Sequence, residues 1–190
     1  LVAVTEKLHG TNCRVGWVEG EWMAGSMEVR RVKPADDKLP SSTYWFPTTQ
    51  PGVKALVEAF VAKGAKQVVL FGEVYGSKIQ NLSYGKVGQL GFAAFDLLVD
   101  GKYLDNGPFR AACAEAGVAT VPLLFEGAFS LAKVKELAEG NTTLGAGHIR
   151  EGVVVRPQVE RNDPKVGRVL LKYLSEAYLF AKGVTDTHDV

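Results

Sequence analysis

Two cysteines in 190 residues, Cys13 and Cys113, stand far apart and support neither a disulfide framework nor a cysteine zinc site. Both are expected to be reduced and packed, as is usual in a reducing compartment. No apolar run approaches the roughly 20 residues of a membrane helix. The opening LVAVTEKLHG has no basic stretch leading into an apolar one, so no secretory signal is visible. A cytoplasmic protein without membrane association is expected, and the missing initiator Met favours a start lost from the true N-terminus. Neither sign of charge dominates: 22 Lys and Arg oppose 21 Asp and Glu, a net charge of +1. That total excludes nonspecific nucleic-acid binding by sheer positive charge, but it leaves room for a local basic groove. The familiar site signatures are missing too: G-x-x-x-x-G-K-[ST], G-x-G-x-x-G after a strand, H-E-x-x-H and G-x-S-x-G. His9, His148 and His188 are scattered without metal-ligand spacing.

What is present is a globular composition, 46% hydrophobic and 23% charged with 21 glycines. No internal repeat or linker divides it, so residues 1–190 read as a single domain. Leu1–Val4 and Cys13–Val18 are strand-like, and EGE turns the second back into WMA. Arg30, Arg31 and Lys33 form a basic cluster. Residues 34–52, rich in Pro, Ser and Thr, read as a long loop whose tip carries Tyr44, Trp45 and Phe46. That aromatic tip is either an anchor in the core or a stacking surface for a base. Val53, Leu56, Val57, Phe60 and Val61 predict an amphipathic helix ending at Gly64. Strands are expected at Gln67–Val74, Phe92–Val99, Val118–Leu124, Ile149–Arg156 and Arg168–Tyr173, with a short return at 101–104. A second helix starts near Asn106 as its cap, and Ser130 caps a third. Residues 158–165 read as a polar loop. The sum is an α+β domain of antiparallel sheets with peripheral helices.

Four of these strands carry a charge inside apolar surroundings: Glu73 in VVLFGEV, Asp96 in FAAFDLLV, Glu151 before GVVV, and Lys172 after VLL. One such residue is commonly a solvent-facing position on a half-buried strand. Four of them, three acidic and one basic, from separate strands, point to a lined cleft, because an unpaired charge among Val, Leu and Phe is costly. Carboxylates for a divalent cation and lysines for phosphate would suit phosphate chemistry. The stretch Thr5–Asn12, TEKLHGTN, adds another lysine and an imidazole beside a glycine turn.

In this order, EKLHGTN, FGEVYG, FAAFDLL, EGVVVRP and LLKYL resemble motifs I, III, IIIa, IV and V of the covalent nucleotidyltransferases. These are the ATP-dependent DNA and RNA ligases and the mRNA capping enzymes. Five blocks in family order, from Glu6 to Lys172, are specific where a lone K-x-x-G is not. The E-K-x-H-G-T-N form, and F-G-E followed by G-x-x-I-Q-N, resemble the RNA ligase 2 type. The resemblance implies an ATP-grasp-like nucleotidyltransferase fold of the ligase and capping-enzyme type. It implies an ATP-dependent RNA ligase using Mg²⁺ or Mn²⁺ and acting as a monomer. Lysine adenylylation by ATP would be followed by AMP transfer to an RNA 5′-phosphate and attack by a 3′-hydroxyl.

By the same resemblance, Lys7 is the nucleophile, and Glu151 and Lys172 complete the catalytic set, with Glu151 the metal ligand. Glu6, Leu8, His9 and Asn12 flank the nucleotide, Glu73 holds its ribose and Phe95 stacks on its adenine, with Asp96 supporting that strand. Two departures stand out. The family's second motif V lysine is replaced by Leu174, leaving Arg156 or Lys182 as substitutes. The arginine the family places after motif I is assigned to Arg30 or Arg31. The resemblance also implies that residues before motif I and a C-terminal domain are missing from the chain. The alternatives are a noncatalytic nucleotide- or RNA-binding module of the same fold, or an ATP-dependent DNA ligase.

Overall fold

The computed structural model describes residues 1–76 and 78–181. Two antiparallel sheets organise it. The first has four strands in the order β11-β8-β1-β7, built from β1 (Val2–Lys7), β7 (Leu123–Gly127), β8 (Gly152–Pro157) and β11 (Leu171–Leu174). The second has five in the order β3-β2-β4-β5-β6: β2 (Thr11–Val18), β3 (Glu21–Gly25), β4 (Gln67–Tyr75), β5 (Gly91–Val99) and β6 (Lys102–Tyr103). The polar stretch expected as a loop forms a small hairpin of its own, β9 (Asn162–Asp163) with β10 (Gly167–Arg168). The helices are α1 (Pro51–Ala62), α2 (Asn106–Ala116), α3 (Leu131–Ala138) and α4 (Glu176–Phe180). The mixed α and β architecture with antiparallel sheets and few helices is the expected class.

Strand alternation decides what each sheet face does. Val15, Leu70 and Leu97 pair across the five-stranded sheet and pack under α1 and α2 with Leu56, Val57, Phe109 and Cys113. On the four-stranded sheet Val4, Val153 and Val155 pack against Val134 and Ala138 of α3. The other two faces are turned toward one another. Leu8, Tyr75, Ala93, Val121 and Tyr178 form a third apolar cluster there, with Phe95 packed against it.

Several boundaries differ from the sequence expectation for physical reasons. Val118–Leu124 is not one strand: Ala119–Val121 runs beside Ala94 of β5, and Pro122, which has no N–H to donate, comes before β7. The cap position of α2 belongs to Asp105; Asn106 is buried and donates to Glu126 and Gln158. Ser130 does cap α3, accepting from Lys133 N. The segment 34–52 contains two 3₁₀ turns, Asp36–Ser41 and Phe46–Thr49. Its aromatic tip is an anchor: Trp45 is 3% exposed in the main core and donates its indole N–H to Arg31 O at 3.2 Å. Helix α4, which sequence periodicity does not reveal, is capped by Ser175 and buries Tyr178.

Candidate active site

Register places the lysines. Lys7 pairs with Gly152 on β8, Thr5 with Val154, and Val154 in turn with Lys172 on β11. Directly opposed residues send their side chains to the same face. Lys7, Thr5, Val154 and Lys172 therefore share the face turned away from α3. On the other sheet Asn12 pairs with Glu73 and Arg14 with Phe71, on the face turned away from α1 and α2. The cleft lies where these faces oppose each other.

Lys7 Nζ, at the very end of β1, donates to Glu151 Oε1. Glu151 is fully buried, and its Oε2 lies 3.6 Å from His9 Nδ1. His9 is buried as well, and its Nδ1 meets the Tyr178 hydroxyl at 3.1 Å. The His9 backbone N–H donates to the Tyr84 hydroxyl at 2.7 Å. Burial pushes that phenol's pKa up, so it stays a neutral acceptor for this bond. These contacts fix the turn after Lys7 from beneath.

Glu73 comes from the opposite sheet. Desolvation dominates its environment and pushes its carboxyl up to about 8, while Lys7, Lys172 and the Gly10 N–H pull the other way and Glu151 adds to the rise. Register puts Lys7 and Lys172 on one sheet face and Glu73 on the other, with Glu151 bonded to Lys7. At Gly10 a Cβ would stand 2.3 Å from Val74 O and 2.9 Å from Glu73 Cγ, so only glycine lets the Lys7 turn close on Glu73. Phe95 is the extra residue of a bulge: Phe71 pairs with Asp96 and Gly72 with Ala94. Such a bulge re-aims its side chain, and Phe95 is half-buried against the Leu8 and Tyr178 cluster.

The remaining sequence candidates have partners of their own. The Glu6 carboxylate is buried on the α3 side and held by the Thr142 hydroxyl, Thr143 N at 3.0 Å and Thr143 Oγ1 at 2.9 Å. Leu8 is buried in the apolar cluster. Arg30 pairs with Glu21 at an exposed position, and Arg31 lies over the Tyr44 ring. Neither contacts Lys7, Glu73, Glu151 or Lys172 among the described residues. Arg156 is engaged within the fold, donating to Phe95 O at 3.0 Å, Asp96 Oδ1 at 2.9 Å and Leu104 O at 3.0 Å, and pairing with Glu160. Arg168 binds the same two carboxylates, closing an ionic cluster that ties β8 to β5. Lys182 lies outside the described residues.

Sequence reasoning passed over Thr5, Arg14, Val154 and Tyr178. Strand alternation could have picked out Val154, half-buried between the buried Val153 and Val155. Glu151 Oε2 is buried without a hydrogen-bond partner, which is how an oxygen reserved for a cation would look. Among the described residues no three His, Cys, Asp or Glu converge on one ion. A divalent cation here would complete its shell from phosphates and water, as Mg²⁺ usually does.

The family model described as RNA ligase matches residues 1–174. Among solved structures the chain is similar to a mutant Naegleria gruberi RNA ligase with ATP and Mn, at 20% identity and a TM-score of 0.73. It is likewise similar to the same organism's RNA ligase with PPi and to a further mutant with AMP and Mn, each at 20% identity and a TM-score of 0.73. In all three comparisons 94% of this chain is covered, and it spans 50% of the length of the other. No curated protein matches. The structural likeness establishes the nucleotidyltransferase-type fold.

Proposed function

The chain belongs to the RNA ligase family, and we propose that it is an ATP-dependent RNA ligase of the RNA ligase 2 type working through a lysyl-AMP on Lys7. The observation that supports this reading is the pair of half-buried Lys7 with fully buried Glu151, with Lys172 on the same sheet face and Glu73 on the opposing sheet. Lys7 Nζ attacks the α-phosphorus of ATP; the P–N bond forms, the bond to the pyrophosphate oxygen breaks and pyrophosphate leaves. Attack requires a neutral amine, so the proton shared in the Lys7–Glu151 bond has to depart first. Lys172 stands on the same face and offsets charge on the phosphate. Glu73, largely protonated at neutral pH, can both donate to and accept from ribose hydroxyls. Phe95 offers a face to adenine, with Val154 on the opposing sheet as the other wall.

The ATP, AMP, PPi and Mn in the Naegleria gruberi structures support ATP and a divalent cation as the partners here. Glu151 would hold that cation, whose role is to neutralise phosphate charge. AMP then passes to an RNA 5′-phosphate, and a 3′-hydroxyl displaces it to join the ends. We read residues 1–190 as one nucleotidyltransferase domain, acting as a monomer in the cytoplasm. Among the described residues no helix is long and apolar enough to cross a membrane.

The test is sealing of a nicked duplex with ATP and Mn²⁺, comparing RNA with DNA on the 3′-hydroxyl side. Faster joining of RNA ends is expected. Preference for DNA ends, or use of GTP in place of ATP, would overturn the assignment.

A further inference from the structure

Arg14 is a cation whose Nε has no hydrogen-bond acceptor among the described residues. It stands on β2 two residues beyond Asn12, on the cleft face, paired across the sheet with Phe71. It is half-buried, and its Nε is buried without an acceptor. The Nε atoms of Arg110, Arg150 and Arg156 are also without acceptors, but those guanidinium groups are held through their terminal nitrogens. The Arg14 guanidinium has no hydrogen bond and no ion pair among the described residues. Burying Nε without an acceptor is costly, so the fold keeps here a group that a ligand can satisfy.

A second, independent vacancy in the hydrogen bonding lies beside it. Asn12 Oδ1 is buried and also without a partner. The two side chains leave the same face of β2 about 7 Å apart along the strand. A guanidinium without a protein acceptor among the described residues, next to an unsatisfied acceptor, fits a ligand with a phosphoryl group at one end and a hydroxyl at the other. Arginine recognises phosphoryl oxygens through paired N–H bonds, which a lysine cannot reproduce.

We propose that Arg14 is a binding residue of the cleft, contacting a phosphoryl group that lies beyond the nucleotide held between Lys7 and Glu73. The proposal rests on the ligase reading. That phosphoryl group has two sources, the pyrophosphate end of ATP or the terminal phosphate of the RNA.

The experiment uses the whole chain and two probes, pyrophosphate by calorimetry and a short 5′-phosphorylated RNA by fluorescence anisotropy. Arg14→Met, which keeps the aliphatic stem, is expected to weaken one probe by about 10- to 100-fold, the effect of losing a charge-assisted hydrogen bond. Weakened pyrophosphate with unchanged RNA assigns the contact to ATP; the converse assigns it to RNA, with a salt dependence shallower by about one phosphate contact. Affinities within twofold of wild type for both probes overturn the proposal. If Arg14→Met also melts lower, Arg14→Lys decides: partial recovery of affinity supports the contact, and recovery of stability alone overturns it. A wild type that binds neither probe overturns the ligase reading along with this one.

Discussion

Glu151→Gln is expected to form the AMP adduct about 10²- to 10³-fold more slowly than wild type, the usual cost of losing one preorganised charge at a reacting centre. The carboxylate holds Lys7 through one oxygen and faces His9 with the other. A glutamine preserves the shape but removes the negative charge. It can no longer balance the Lys7 ammonium, take part in removing its proton or neutralise a cation. Because Glu151 is fully buried, the substitution removes a charge rather than a surface contact. Single-turnover labelling measures the rate, with the melting temperature as a check on folding. A rate within fivefold of wild type at unchanged melting temperature would remove Glu151 from the chemistry.

Gly152→Ala should destabilise the fold by about 3 kcal/mol or more and displace Lys172 with it. A Cβ at Gly152 would lie 2.1 Å from Tyr173 O and 2.8 Å from Leu174 Cα. Both atoms are backbone of β11, so no side-chain rotation relieves the contact. The whole strand must move, and it carries Lys172 next to Tyr173, the residue that clashes most closely. The same movement breaks the Ser175 N–H bond to Glu151 O, 2.9 Å in the native arrangement. Urea unfolding gives the stability change, and the adduct assay on the surviving folded fraction gives the activity change. Stability within 0.5 kcal/mol of wild type, the range of an ordinary surface substitution, would show that β11 is not so tightly held.

The charged residues were legible because apolar strands make charge conspicuous. Glu73, Glu151 and Lys172 stood out in VVLFGEV, EGVVV and VLLKYL; the fold bonds Glu151 to Lys7 and puts Lys172 on the sheet face that carries Lys7. Strand alternation also separates Arg14 from Cys13 and Val15, but it does not say which face of a sheet will meet the other sheet. Arg30 and Arg31, to which the resemblance assigned an arginine after motif I, are placed by the fold beside Glu21 and Tyr44. Glu6 shows a different limit. Its position beside Lys7 suggested a role at the nucleotide, but its carboxylate is held by Thr142 and Thr143, far along the chain. Such pairs depend on the packing of α3 beneath β1 and leave no local signal. Tyr178 belongs to a helix too short to show a period, so its bond to His9 was invisible before the fold was known.

The central claim is that Lys7 carries AMP covalently. Intact mass of the wild-type protein after incubation with ATP and Mn²⁺, followed by peptide mapping, tests it most directly. The account predicts a gain of one AMP on the peptide containing Lys7, and no gain in Lys7→Ala. An AMP gain that persists in Lys7→Ala, or a wild type that gains none, would contradict it.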